Sequence, residues 1–160
     1  MSEITTAELL AKHPITEGLL PYQLERLATI ASEARFEKNQ VIFREGDEAS
    51  QFFLLISGRV ALEINVEGKP RRIQTLEEGD ELGWSSVLQS SRKFFQARAL
   101  EPVRALVFDG PRLLEVFSGD RALGYRFLSR ILTVVAERLK STQIQLLDMY
   151  SPAGAHGVRK

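Results

Sequence analysis

Four glycines, Gly46, Gly58, Gly68 and Gly79, punctuate the middle of this chain at intervals of 12, 10 and 11 residues. Each sits in a turn-forming setting: Gly46-Asp47, Ser57-Gly58, Glu67-Gly68-Lys69 and Gly79-Asp80. Around them run short apolar stretches, VIF at 41–43, FFLLI at 52–56, VALEI at 60–64, RIQTL at 72–76, FFQARAL at 94–100 and RALVF at 104–108. Short strands broken by turn glycines at this spacing predict an antiparallel sandwich, jelly roll or barrel, here over about 35–109. The glycines have a physical reason, because tight hairpins and bulges need residues that accept positive φ without strain.

Helical patterns flank this region, so the expected class is α+β. Residues 4–12 read as a short helix opened by Thr5 or Thr6, with Glu8 placed to complete a capping box. After the loop HPITEG, residues 21–34 start with Pro at the first helical position and repeat apolar residues at Leu24, Leu27 and Ile30/Ala31, which predicts a second helix. Residues 110–117 predict a third. A long helix is expected over about 121–150, free of Gly after Gly124 and of Pro before Pro152. Its positions Leu128, Leu132, Val135, Leu139, Thr142, Leu146 and Met149 step by 4, 3, 4, 3, 4 and 3, the heptad spacing of a helix that pairs with another helix. Phe127, Ile131, Val134 and Leu147 form a second stripe that could face the β region. Burial of both stripes within one chain is the alternative, although a helix of roughly 40 Å is long for packing on one small β domain. Residues 1–150 are thus expected to form one domain, with 151–160 a disordered tail.

Composition removes several chemistries. No cysteine is present among the 160 residues, so disulfides, thiolate nucleophiles and Cys-ligated zinc or iron–sulfur centres are excluded. Only His13 and His156 supply imidazole, too few for a multi-His metal site or a cupin-type enzyme. No metal and no catalytic residues are expected. The N-terminus lacks a signal pattern and no apolar run approaches the roughly 18 residues of a membrane span, so a cytoplasmic location without membrane contact is expected. Net charge is zero, from 21 basic and 21 acidic residues. Residues 1–80 carry 9 basic and 14 acidic residues and residues 81–160 carry 12 and 7, so an anionic ligand is expected at the second half.

The segments VIFREGDEASQFFLLISGRVAL at 41–62 and LEEGDELG at 76–83, with ERLKSTQIQLLD at 137–148, resemble the cyclic-nucleotide-binding domain of the Crp/Fnr type. The resemblance covers about Leu19 to Tyr150. It implies a β-roll whose pocket holds a cyclic phosphate against a short helix, and a long C-terminal dimerisation helix. The phosphate would meet backbone N–H groups at Ser85-Ser86-Val87-Leu88, following Gly83; simple capping by the two serines is the plainer reading.

At two places this sequence departs from the family pattern. The glutamate that accepts from the ribose hydroxyl is replaced by Trp84. The arginine that forks onto the phosphate is replaced, in ungapped register, by Lys93, with Arg92 beside it and Phe94 and Phe95 where small residues normally follow. Lysine is a point charge and cannot reproduce a bidentate grip. Each lost charge-assisted bond costs about 1.5–3 kcal/mol, so cAMP affinity should fall by about two orders of magnitude or more. The three aromatic rings either fill the pocket or stack on a different ligand. On the long helix, Thr142 and Gln143 stand where the family reaches the base, with register-setting as the alternative for Thr142.

Two functional readings follow. The first is a homodimeric regulatory module that senses a nucleotide or other small anion through Gly83, Trp84, Ser85, Ser86, Arg92, Lys93, Phe94 and Phe95, with Thr142 and Gln143, and signals to a protein partner. The second is a ligand-free dimeric scaffold with a filled, vestigial pocket. Direct DNA binding is not expected, because the ten residues after Tyr150 are too few for a winged helix-turn-helix. Arg98, Arg104, Glu63, Glu67, Glu77, Glu78 and Asp80 read as exposed strand and turn positions. His13, in a loop before Pro14, has a haem-ligand role as its only functional alternative.

Overall fold

A computed structural model describes residues 4–87 and 92–150. Helix α1 (Thr6–Lys12) is opened by Thr5, whose hydroxyl accepts from the Glu8 N–H at 3.1 Å while the Glu8 carboxylate reaches back to the Thr5 N–H. A 3-10 turn at Pro14–Thr16 leads to α2 (Pro21–Ala28). Eight strands follow among the described residues: β1 (Ala31–Phe36), β2 (Val41–Phe43), β3 (Gln51–Ser57), β4 (Val60–Val66), β5 (Lys69–Leu76), β6 (Glu81–Leu82), β7 (Gln96–Ala99) and β8 (Val103–Asp109). A second 3-10 turn, Trp84–Val87, lies between β6 and β7, and α3 (Gly110–Gly119) and α4 (Arg121–Tyr150) close the order.

The strands form two four-stranded antiparallel sheets, ordered β1-β8-β3-β6 and β2-β7-β4-β5. This is the β-roll that the turn spacing predicts. Gly46, Gly58, Gly68 and Gly79 take φ of 88°, 94°, 82° and 89°. The β4–β5 hairpin closes with Val66 opposite Lys69 and with Glu67 and Gly68 at φ 53° and 82°, the two-residue primed turn that matches strand twist. Between the sheets pack Phe53, Leu55, Val60, Leu62, Leu76, Leu82, Ala97, Ala99, Val103, Ala105 and Val107. The alternate residues Phe52, Leu54, Leu106 and Phe108 are also buried, so the first sheet is covered on both faces.

Three sequence expectations need correction. The second helix stops at Ala28, and residues 31–36 form β1, paired with β8 from Ala31–Phe108 to Phe36–Val103. Helical apolar spacing continues through Ile30 and Ala31, but here a ladder to a strand seventy residues away takes over. Glu63 is buried at 3% exposure, not exposed. Arg98 and Arg104 are half-buried rather than exposed: Arg98 forks onto Glu63, and Arg104 Nη2 lies 2.7 Å from Glu33. Because β1 pairs with β8 and β4 with β7, acids of the first half meet bases of the second, and part of the charge asymmetry cancels in the fold.

Contacts divide the chain into two compact units, one ending at Arg126 and one beginning at Phe127. In the second, α4 continues to Tyr150, with Leu132, Leu139, Leu146 and Met149 at 68%, 56%, 49% and 81% exposure and Leu128 and Val135 more covered. No helix among the described residues is long and apolar enough to cross a membrane. The predicted tail at 151–160 lies outside the described residues.

Candidate functional site

Strand β6 carries the chain to Gly83, where φ is 83°. A side chain there would collide: a Cβ would stand 2.5 Å from the Gln51 carbonyl oxygen and 2.9 Å from Lys93 Nζ. Glycine is therefore required both by the backbone angle and by the close approach of β3 and Lys93. The 3-10 turn Trp84–Val87 follows at once, with Ser85 and Ser86 buried. The Ser86 N–H donates to the Gly83 carbonyl at 2.9 Å, and Ser86 Oγ has no hydrogen-bond partner among the described residues. The turn starts one residue before the helix the resemblance implies, and Leu88, the expected last residue of that helix, lies outside the described residues.

Lys93 enters the roll from the other side. Its backbone is clamped by the loop after β2, with the Lys93 N–H donating to the Asp47 carbonyl at 2.8 Å and the Gly46 N–H to the Lys93 carbonyl at 2.9 Å. The side chain is 5% exposed, and its ammonium donates to the Gln51 carbonyl at 2.9 Å and stands 4.3 Å from the centroid of the Phe43 ring. Burial lowers the Lys93 pKa to about 8, with Asp47 opposing the shift. Arg92 points outward: it is exposed, and its Nη1 donates to the Gly46 carbonyl at 3.2 Å. Of the two adjacent cations, the lysine is the one turned inside.

Trp84 and Phe94 meet with ring centroids 5.4 Å apart, and Phe94 meets Phe95 edge-on at 6.4 Å. Phe95 packs on the core between the sheets, whereas Phe94 is 48% exposed. The three rings form a chain from the core to the surface beside Gly83. The structure thus brings together Gly83, Trp84, Ser85, Ser86, Lys93, Phe94 and Phe95. Thr142 and Gln143 are exposed on α4, where the Thr142 hydroxyl donates to the Arg138 carbonyl at 2.9 Å, one turn back along its own helix.

Outside this site, Glu63 is held on the outer face of the second sheet. Arg98 Nε and Gln96 Nε2 donate to its Oε1 at 3.2 and 3.0 Å, and Arg98 Nη2 donates to its Oε2. Hydrogen bonds from Arg98 hold its pKa below the usual carboxylate value, against the effect of burial. A cavity of about 610 Å³ opens beside it, lined also by Arg44, Glu45 and Asn65. The sequence carries a signal for this cluster, since Glu63, Gln96 and Arg98 fall on one parity of β4 and β7, but the β4–β7 pairing that joins them is set by the tertiary fold. His13 is buried with both ring nitrogens on backbone groups, which leaves no lone pair for haem. No group of three or more metal-ligating side chains occurs among the described residues.

The profile of the Cyclic nucleotide-binding domain family matches residues 33–120, from β1 to the end of α3. The chain is 34% identical over 109 residues to the acetyltransferase Pat of Mycolicibacterium smegmatis, covering 68% of this chain and 32% of that protein. It is 24% identical over 143 residues to the CRP-like cAMP-activated global transcriptional regulator of Mycobacterium tuberculosis, covering 89% of this chain and 62% of that one. Among solved structures, a Geobacter metallireducens protein named for cyclic nucleotide binding superposes with a TM-score of 0.74 at 29% identity, over 84% of this chain and 98% of that one. The chain therefore spans about a third to two-thirds of the length of these curated relatives and belongs to the cyclic nucleotide-binding domain family.

Proposed function

We propose that this domain is a regulatory module that senses a nucleotide or another small anion through the site built on Gly83, Ser85, Ser86 and Lys93, and passes the signal to a protein partner. The supporting observation is the inward Lys93 ammonium, placed below Gly83 where the resemblance puts a phosphate-binding cation. One point charge replaces a forked guanidinium and Trp84 replaces the ribose acceptor, so the reading favours weak cAMP binding and a ligand whose aromatic part meets Trp84 and Phe94. A homodimer through the exposed stripe of α4, a cytoplasmic location and a regulatory rather than catalytic role complete this reading.

A second reading is favoured by one feature: Phe95 packs on the core and carries Phe94 and Trp84 with it, as side chains filling a vestigial pocket would. In that case the domain is a ligand-free scaffold. Melting curves with a panel of cyclic mono- and dinucleotides separate the two. A ligand at a hundred times its dissociation constant adds about 2.7 kcal/mol of stability, and Lys93→Met should abolish that gain. A flat response across the panel, with no ligand carried in native mass spectrometry, leaves the scaffold.

A further inference from the structure

The N-terminal segment is tied to the β5–β6 turn, three residues ahead of Gly83, by a histidine that neither functional reading uses. The Ile15 N–H donates to His13 Nδ1 at 3.2 Å, so Nδ1 is unprotonated and the ring proton sits on Nε2. His13 Nε2 then donates to the Asp80 carbonyl at 3.2 Å. That carbonyl also accepts from the Leu55 N–H at 2.9 Å, and the Asp80 carboxylate accepts from the Glu77 N–H at 2.8 Å, so the β5–β6 turn is fastened to β3 and to itself. Next to this bond, Pro14 Cγ lies 3.6 Å from where a Gly79 Cβ would stand. The far end of the turn runs through β6 into Gly83 and Trp84.

The imidazole is 4% exposed and works only when neutral. Protonation puts a hydrogen on Nδ1 facing the Ile15 N–H, a donor against a donor, and leaves a buried cation. Burial depresses its pKa below 6.5, while Asp80 acts in the opposite direction. The charged groups on the elements that adjoin it are Glu8 and Lys12 on α1, Glu17 after the 3-10 turn, Glu77, Glu78 and Asp80 on the β5–β6 turn, and Arg104 on β8. Of these, Lys12, Glu78 and Arg104 line the same cavity of about 500 Å³ as His13. The Thr16 hydroxyl donates to the Leu10 and His13 carbonyls, so α1 and its 3-10 turn hold together as one piece.

We propose that His13 is a pH-operated latch: its neutral ring docks the α1 segment onto the β5–β6 turn, and its protonation undocks that segment and changes the setting of Trp84. Trp84 is the single tryptophan of the chain, so its fluorescence reports the change directly. Full-length protein titrated from pH 7.5 to 5 should show a Trp84 transition and an Ile15 amide shift with one shared midpoint below 6.5. His13→Gln offers an acceptor and a donor that do not titrate, and should remove the transition; His156→Gln should keep it. A flat wild-type trace, or a transition that survives His13→Gln, overturns the latch. If His13→Gln does not fold, ring nitrogen shifts of the wild type decide: a proton on Nδ1 at pH 7.5 overturns it, and the Nε2–H tautomer giving way to imidazolium together with the Trp84 change supports it.

Discussion

Lys93 Nζ stands 4.3 Å above the Phe43 ring inside the β-roll, with the Gln51 carbonyl as its acceptor. An ammonium in this position is stabilised by the ring face and one carbonyl but has given up most of its hydration. Because its folded pKa of about 8 lies below the usual 10.5, the unfolded chain binds more protons between these values, and stability rises as pH rises from about 8 to 10.5. The gain should be on the order of 2–3 kcal/mol. Lys93→Met keeps the stem, removes the charge, and should raise the melting temperature at pH 7 while flattening this dependence. A lower melting temperature for Lys93→Met would mean the ammonium stabilises the roll.

The Glu63–Arg98 pair predicts the same direction, stability rising with pH, in an acid window. With its folded pKa below 4.5, Glu63 contributes stability that is present above that value and is lost as pH falls through the folded pKa. Arg98→Ala strands a buried carboxylate and should cost about 3 kcal/mol at pH 7 in urea unfolding, and less at pH 4. An equal loss at both pH values would assign the effect to packing of the arginine stem.

Gly83 and Gly68 share a positive φ but differ in surroundings. Nothing lies within 4 Å of a Cβ at Gly68, whereas one at Gly83 meets the Gln51 carbonyl and Lys93. Gly68→Ala should cost about 1 kcal/mol, for the backbone alone. Gly83→Ala should cost at least twice that and should shift Trp84 fluorescence. Equal losses by chemical denaturation would show that the contact with β3 relaxes freely.

The exposed stripe of α4 predicts self-association. Leu139→Asp places a charge at its centre and should yield monomer by light scattering, whereas the outward Glu137→Gln should not alter the mass. An unchanged mass for Leu139→Asp removes the heptad interface.

Much of this architecture is legible in the sequence. The Thr5–Glu8 capping box, a turn at Glu67-Gly68-Lys69 and the 30-residue α4 rest on interactions within a few residues, so spacing alone reveals them. The cluster around Gly83 is a proposed site that the family resemblance picks out, and the proximity of its members follows from the chain's return at Lys93. What the sequence by itself determined is the alternation of short strands and turns, the caps and the helical stripe. Only the tertiary structure decided that residues 31–36 are strand, that Lys93 rather than Arg92 turns inward, that Glu63 is buried, and that His13 meets Asp80. Those outcomes depend on pairings across 35 to 77 positions, such as Glu63–Arg98 and Ala31–Phe108, where burial and ladder hydrogen bonds override local preference.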